Sequence, residues 1–260
     1  MKKLLALLIS AMTILSFCGF TADTDPAKVY QQAYEKSVAA TKQEAKAVMD
    51  MQMELGELTI PMKMEMDMKW SREGGKYLMS AAGSMTAMGE TMPFAYYYTD
   101  GWYYMDMMGQ KIKAPMDMEQ MMELSKQMML QSPTAELFDQ VHMDEVGENY
   151  RITYKIGNSK MKEFIGQAMG MVNTMGGVSD AAAADTAEIL PGTMNGQMTV
   201  DGKANILSER MSMNLYMKIA DETVKCAMRM KASYEPVGKD FAITFPDDLA
   251  SYQEQAVPAA

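Results

Sequence analysis

The sequence predicts an α+β chain that is mainly antiparallel β, a curved sheet with one apolar and one charged face. Three observations predict it. Long stretches alternate apolar and polar residues with a period of two, glycine-based turn signals punctuate them, and one helical stretch follows an apolar leader. Successive side chains of a strand point to opposite faces, so alternation over this length describes a sheet half-buried on one side.

The leader comes first. Lys2 and Lys3 precede Leu4 to Phe17, an almost unbroken apolar run. That is the length of a secretory h-region and too short for a comfortable membrane span. Residues 1–22 are therefore expected to be a signal peptide, and the mature chain to work outside the cytoplasm, in the cell envelope. Leu15-Ser16-Phe17-Cys18 resembles a bacterial lipobox, which would acylate Cys18 and tether the chain to a membrane. Phe17 stands where Gly, Ala or Ser is usual. Cleavage after Ala22 is the rival, with Phe20 where a small side chain is usual, and an uncleaved anchor is a third outcome. In each case Cys226 has no disulfide partner and reads as a small buried hydrophobe.

Asp25-Pro26 then opens a helix, with Asp at the cap and Pro in the first turn. Val29, Ala33, Val38, Thr41, Ala45 and Val48 give it a weakly apolar face. Met49, Met51, Met53 and Leu55 follow with a period of two. So do Ile60, Met62, Met64, Met66, Met68 and Trp70, with Lys63, Glu65, Asp67 and Lys69 between them. Lys76 to Ala82 and Met85 to Gly89 read as shorter strands. Phe94 to Thr99 and Trp102 to Met107 bracket Asp100-Gly101, the strongest hairpin signal in the chain. Residues 117–130 change period: Met118, Met121, Met122, Ser125, Met128 and Met129 fall at helical spacing. A short helix is expected after Ser132-Pro133, a hairpin from Val141 to Glu145 and Tyr150 to Ile156, and a helix from Lys160 to Val172. Gly176-Gly177 and Ala181 to Ala184 mark a flexible connector near 175–195. Strands resume over Gln197 to Asp201 and Ala204 to Leu207. Met211, Met213, Leu215, Met217 and Ile219 alternate, then Val224, Cys226, Met228, Met230 and Ala232, and Phe241, Ile243 and Phe245 make a last strand. Residues 23–250 read as one domain and 251–260 as a disordered tail.

Composition excludes several functions. A net charge of −10 argues against a nucleic-acid partner, which needs clustered Lys and Arg. His142 is the only histidine, so a zinc site lacks ligands and a general base lacks a nucleophile motif beside it. Phosphate-loop and dinucleotide fingerprints are absent from the sequence. The chain is read as a non-enzyme without a cofactor.

Methionine is the unusual feature, 34 of 260 residues, more than an ordinary core requires. Thioethers can simply fill a core, form a pliable surface for acyl chains, or capture Cu(I) or Ag(I). Same-face neighbours along one strand stand about 6.6 Å apart, wide for one metal ion.

The lipobox-like leader, the single N-terminal helix and the meander of Met-alternating strands form a pattern. Tyr103-Tyr104-Met105, Lys111-Ile112-Lys113-Ala114-Pro115 and the closing Asp240-Phe241-Ala242-Ile243-Thr244-Phe245-Pro246 belong to it. Together they resemble uncharacterised bacterial lipoproteins related to the LolA/LppX lipid-carrier superfamily, over roughly residues 26–250. The resemblance implies a half-barrel sheet with helices on its concave side, holding acyl chains between sheet and helices, and no catalytic residues. The expected function is non-catalytic binding or shuttling of an apolar ligand, with a lipid or acyl chain as partner and the membrane reached through the N-terminal anchor. A structural or interaction lipoprotein with a filled Met-rich core is the alternative, a soft-metal protein the third. The residues expected to line the ligand are Met49, Met51, Met53, Met62, Met64, Met66, Met68, Met118, Met121, Met122, Met211, Met213, Met217, Met228 and Met230.

Overall fold

A computed structural model of the chain describes residues 25–120, 122, 138–161, 187–219 and 222–254. The leader with Cys18, Met121, the helix expected after Ser132-Pro133 and the glycine and alanine connector motifs lie outside the described residues. Of the helices expected over 117–130 and Lys160 to Val172, residues 118–120, 122 and 158–161 are described, and these are helical.

Helix α1 spans Pro26–Ala39, and the Asp25 carboxylate caps it by accepting from the Ala27 amide at 3.0 Å. It stops well short of Val48, where the helical reading placed its end. Strand β1, Lys42–Leu55, has already begun there. Ala45 and Ala47 continue the two-residue period of Met49 backwards, and they stand opposite Met68 and Met66. Strand pairing on both sides of these residues outweighs a helical face that offers only scattered Val, Thr and Ala.

The remaining strands are β2 (Leu58–Glu73), β3 (Lys76–Ala87), β4 (Glu90–Thr99), β5 (Trp102–Met107), β6 (Gln110–Pro115), β7 (Gln140–Val146), β8 (Asn149–Ile156), β9 (Ala187–Asp201), β10 (Ile206–Ile219), β11 (Glu222–Glu235) and β12 (Gln253–Glu254). They form one open, curved sheet in the order β12-β6-β5-β4-β3-β2-β1-β11-β10-β9-β8-β7. Every ladder is antiparallel except β12 with β6. The pairing of β1 with β11 joins the two halves of the chain into a single layer. Helix α1 lies on the thioether face, with Val29 and Ala33 fully buried in a cluster with Ile152, Met198 and Val200. The other face is polar, crossed by ion pairs such as Glu44 with Lys69 and Glu54 with Lys225.

Further boundaries differ from the sequence reading. Lys76 to Gly89 is one strand ending at Ala87, not two, because Met88-Gly89 is a turn with φ of 52° and 86°. Gly83 sits inside that strand, where a Cβ would run into the carbonyl oxygen of Glu65 on β2. Strand β9 begins at Ala187, inside the stretch expected as connector. The alternation there is hidden by Gly192 and Gly196, whose missing side chains admit the Asn214 carbonyl and the Tyr154 ring.

Another difference is at the C-terminus. Residues 240–246 carry no ladder. They cross the polar face as a strap: Phe241 lies over the Lys42 and Lys69 ammonium groups at 5.8 and 5.9 Å, and Phe245 packs edge-on against Tyr97. The strands beneath are already paired on both sides, so the segment can join the sheet only after reaching the free edge of β6. It does so as β12. Asp248 pairs with Lys111 at 2.5 Å, and Tyr252 is buried against Tyr104. The expected disordered tail from 251 is thus ordered through Glu254.

Gly83→Ala tests the close approach of β2 and β3. Urea unfolding should show a loss of about 1–3 kcal/mol, the usual penalty of overpacking. A loss under about 0.5 kcal/mol, the level of an ordinary surface substitution, would show that the two backbones do not meet as described.

Candidate functional site

The register of the central strands turns alternating methionines into rows. Met92, Met85, Met64, Met49, Met230 and Met211 stand opposite one another across β4, β3, β2, β1, β11 and β10. The next row is Met62, Met51, Met228, Met213 and Met194, from β2 to β9. Directly opposed side chains have Cβ atoms about 4.5–5.5 Å apart, so each row is a ladder of touching thioethers.

Of the residues expected to line a ligand, Met49, Met51, Met64, Met66, Met213, Met228 and Met230 are buried in one cluster. Met53, Met62, Met68 and Met211 pack on its margin. Met118 is buried with Tyr98 in a separate small cluster, against which Met122 packs. Met121, and the side chain of Met217, lie outside the described residues. Met194 and Met198 belong to the same face and were missed, because glycines interrupt the alternation of β9. Cys226 is buried beside the second row, opposite Met53 and Leu215, and its burial raises the thiol above its ordinary value, as a small core hydrophobe requires.

Among the described residues, one charged side chain is buried, and it lies on this face. Glu209 follows the phase of Met211, Met213 and Leu215, so its carboxyl points among the methionines and is 6% exposed. Four phenols face it: Tyr30 and Tyr34 from α1, Tyr154 from β8 and Tyr234 from β11. The Tyr234 hydroxyl donates to Glu209 Oε2 at 3.1 Å. Burial disfavours the carboxylate more than this one hydrogen bond favours it, and the Glu209 pKa is pushed up to about 7. Alternation alone assigns Glu209 to the apolar face, and that was the available signal.

Two hollows bounded by described residues open on the polar face, of about 550 and 300 Å³. The larger is bordered by Lys155, Arg210, Arg229 and Lys231, with Asn195, Gln197 and Ser212 between them. Its side chains are those of a hydrated, cationic surface.

A family model described as "Family of unknown function (DUF6612)" matches residues 25–253. Among solved structures, the chain is similar to the ywiB protein from Bacillus subtilis at 5% identity and a TM-score of 0.23, over 75% of this chain and 94% of that one. It is similar to a DUF1329 family protein from Desulfovibrio piger at 8% identity and a TM-score of 0.30, over 83% and 92%. A structure on lipid–protein interactions in lipovitellin matches at 10% identity and a TM-score of 0.36, over 79% of this chain and 26% of that one. At these scores the likenesses carry no argument about ligand or partner. No curated protein matches the chain significantly.

The buried carboxyl makes stability depend on pH. Glu209 ionises near 4.5 when unfolded and near 7 when folded, so between these values the native state holds the extra proton. Its contribution is fully present below pH 4.5 and is lost as pH rises to about 7. The loss is about 3 kcal/mol at most. Glu209→Gln should be more stable than wild type at pH 8, and the difference should shrink as pH falls to 5. Chemical denaturation at several pH values measures it. Parallel pH profiles for the two proteins would contradict a buried, proton-holding carboxyl.

Proposed function

The chain belongs to DUF6612, a family of unknown function, and from its own residues we propose a non-catalytic envelope protein that binds an apolar ligand, a lipid or lipoprotein acyl chain, against its thioether face. In this reading the sheet and α1 play the parts of the half-barrel and cover of LolA/LppX-like carriers. Acylation at Cys18 tethers the protein to its membrane.

The observation that carries the reading is the pair of methionine ladders. Leu, Ile and Val fill a sheet face with fixed shapes. Unbranched thioethers adapt, and a surface of them repacks around chains of different length. Each buried methylene contributes about 0.8 kcal/mol, so an acyl chain with a dozen buried carbons gains roughly 10 kcal/mol before the entropy of binding is subtracted. No polar contact is then required.

Burial of the same thioethers favours a second reading, a filled core that holds the sheet rigid and takes no ligand. The ladders also soften the spacing argument against a soft metal. Sulfurs on neighbouring strands come nearer one another than same-face residues along one strand.

Native mass spectrometry of protein purified from its own membranes separates the three. The carrier reading expects a mass excess that matches one lipid and is released by organic solvent. A protein mass with acylation at most and no other adduct would sink it in favour of the filled core, and a copper or silver adduct would favour the third reading. In the carrier case, Met51→Asp/Met228→Asp should lose the adduct, whereas Met51→Leu/Met228→Leu should keep it.

A further inference from the structure

The polar face divides into two unlike halves. Over β1–β6 it mixes carboxylates with ammonium groups and is crossed by the strap, which sets Phe241 over Lys42 and Lys69 and Asp248 on Lys111. Over β8–β11 it carries cations and neutral polar groups, and the larger hollow, of about 550 Å³, opens there.

Register gives this hollow its shape. His142, Thr153, Gln197, Arg210 and Lys231 stand opposite one another from β7 to β11. At the neighbouring position on the same face, Gln140, Lys155, Asn195, Ser212 and Arg229 form a second row. These ten side chains border the hollow, while the residues between the rows turn to the thioether face. Four strand spacings make it a trough about 19 Å long, and its two rows lie about 7 Å apart.

Its chemistry runs against the composition of the chain. The sequence has 34 acidic and 24 basic residues, yet each of the ten side chains offers a hydrogen-bond donor and none is a carboxylate. Carboxylates return at the margins, with Asp144 paired to His142 at 2.9 Å and Asp50 opposite Arg229. Elsewhere on this face cations are neutralised, Lys63 by Glu65, Lys69 by Glu44 and Lys225 by Glu54. Among the described residues, no carboxylate lies within ion-pair distance of Lys155, Arg210, Arg229 or Lys231. Arg210 and Lys231 are directly opposed, and Arg229 is the next residue on the same face of β11. Like charges so placed destabilise a sheet, and an anion among them turns repulsion into attraction.

The neutral side chains say what kind of anion fits. Thr153, Asn195, Gln197 and Ser212 fill the trough between Lys155 and the group of three cations. Hydroxyls and amides both donate and accept, which matches the hydroxyls of a sugar. Nucleic-acid bases want aromatic platforms, and the two rows contain no Tyr, Trp or Phe. An acyl chain wants an apolar wall, which these ten side chains do not offer.

We propose that this trough binds an extended acidic oligosaccharide. One carboxylate or sulfate is held by Arg210, Arg229 and Lys231 and a second by Lys155, with the sugar hydroxyls between them on Thr153, Asn195, Gln197 and Ser212. The site lies across the sheet from the methionine ladders, so it stands whether or not these hold a ligand.

Calorimetric titration of the full chain purified from its host tests it. The probes are tetragalacturonate, a sulfated tetrasaccharide from heparin, neutral maltotetraose, and tetraglutamate as an anion that is not a sugar. At least one acidic tetrasaccharide should bind saturably and about tenfold or more tightly than tetraglutamate, and maltotetraose should not bind. Affinity should fall as salt rises, as it does between exposed charges. Arg210→Gln/Lys231→Gln should lose about tenfold or more in affinity, the scale of one lost charged hydrogen bond, without a lower unfolding temperature, since a like-charge pair is relieved. Lys225→Gln, whose charge lies outside the trough, should bind as wild type does. Asn195→Ala/Gln197→Ala keeps every charge and should still weaken the acidic sugar. Tetraglutamate binding as tightly as the sugars would make this a general anion surface and overturn the assignment. So would silence from both acidic sugars, or binding that survives either double substitution.

Discussion

Register is the constraint on which everything else in this structure depends. Side chains alternate between faces, so a slip of one residue between β1 and β11 would turn a whole set of thioethers outward and bring Asp50, Gln52 and Glu54 inward. The pairing of Met49 with Met230 and Met51 with Met228 at the seam keeps the two halves of the chain in phase. The hairpin turns then carry that phase outward strand by strand. A face built by register is continuous, and continuity is what distinguishes two ladders of methionines from a set of separate core contacts.

The same phase explains the exceptions on that face. Glu209 is buried because it occupies an inward position on β10, and tyrosines from two strands and α1 gather around it. Helix α1 is thus fixed at one end of the thioether face by Val29 and Ala33 and by aromatic contacts of Tyr30 with Phe138 and Tyr154. The polar face has its own organiser, the C-terminal strap. It spans β1 to β6 by aromatic and ion-pair contacts and finally closes the free edge of β6. An exposed edge strand invites pairing with other chains, and β12 shortens that exposure.

The sheet was legible where alternation is uninterrupted. Met49 to Leu55, Ile60 to Trp70, Met211 to Ile219 and Val224 to Ala232 announce both their strands and their inward faces. Legibility failed where one residue type serves two purposes. Met88 reads as a strand methionine, yet it begins a turn with positive φ, shared by the glycine that follows. Glycines in β9 and β3 masked strands, since there the missing side chain serves packing and not a turn. Phe241, Ile243 and Phe245 alternate as a strand does, but pairing needs a free edge, and edges are a property of topology that local pattern does not contain. The candidate site was legible in its composition and its face. The cross-strand rows emerged only once register was fixed.

The central claim is that the thioether ladders form a yielding surface and not a set core. Methyl NMR of protein labelled at methionine Cε addresses it directly, on titration with a soluble medium-chain fatty acid. The account predicts that Met49, Met51, Met213, Met228 and Met230 shift together and saturably, while the methyls of Met88 and Met108, exposed at hairpin turns, stay in place. Ladder resonances that do not move at saturating ligand would contradict it.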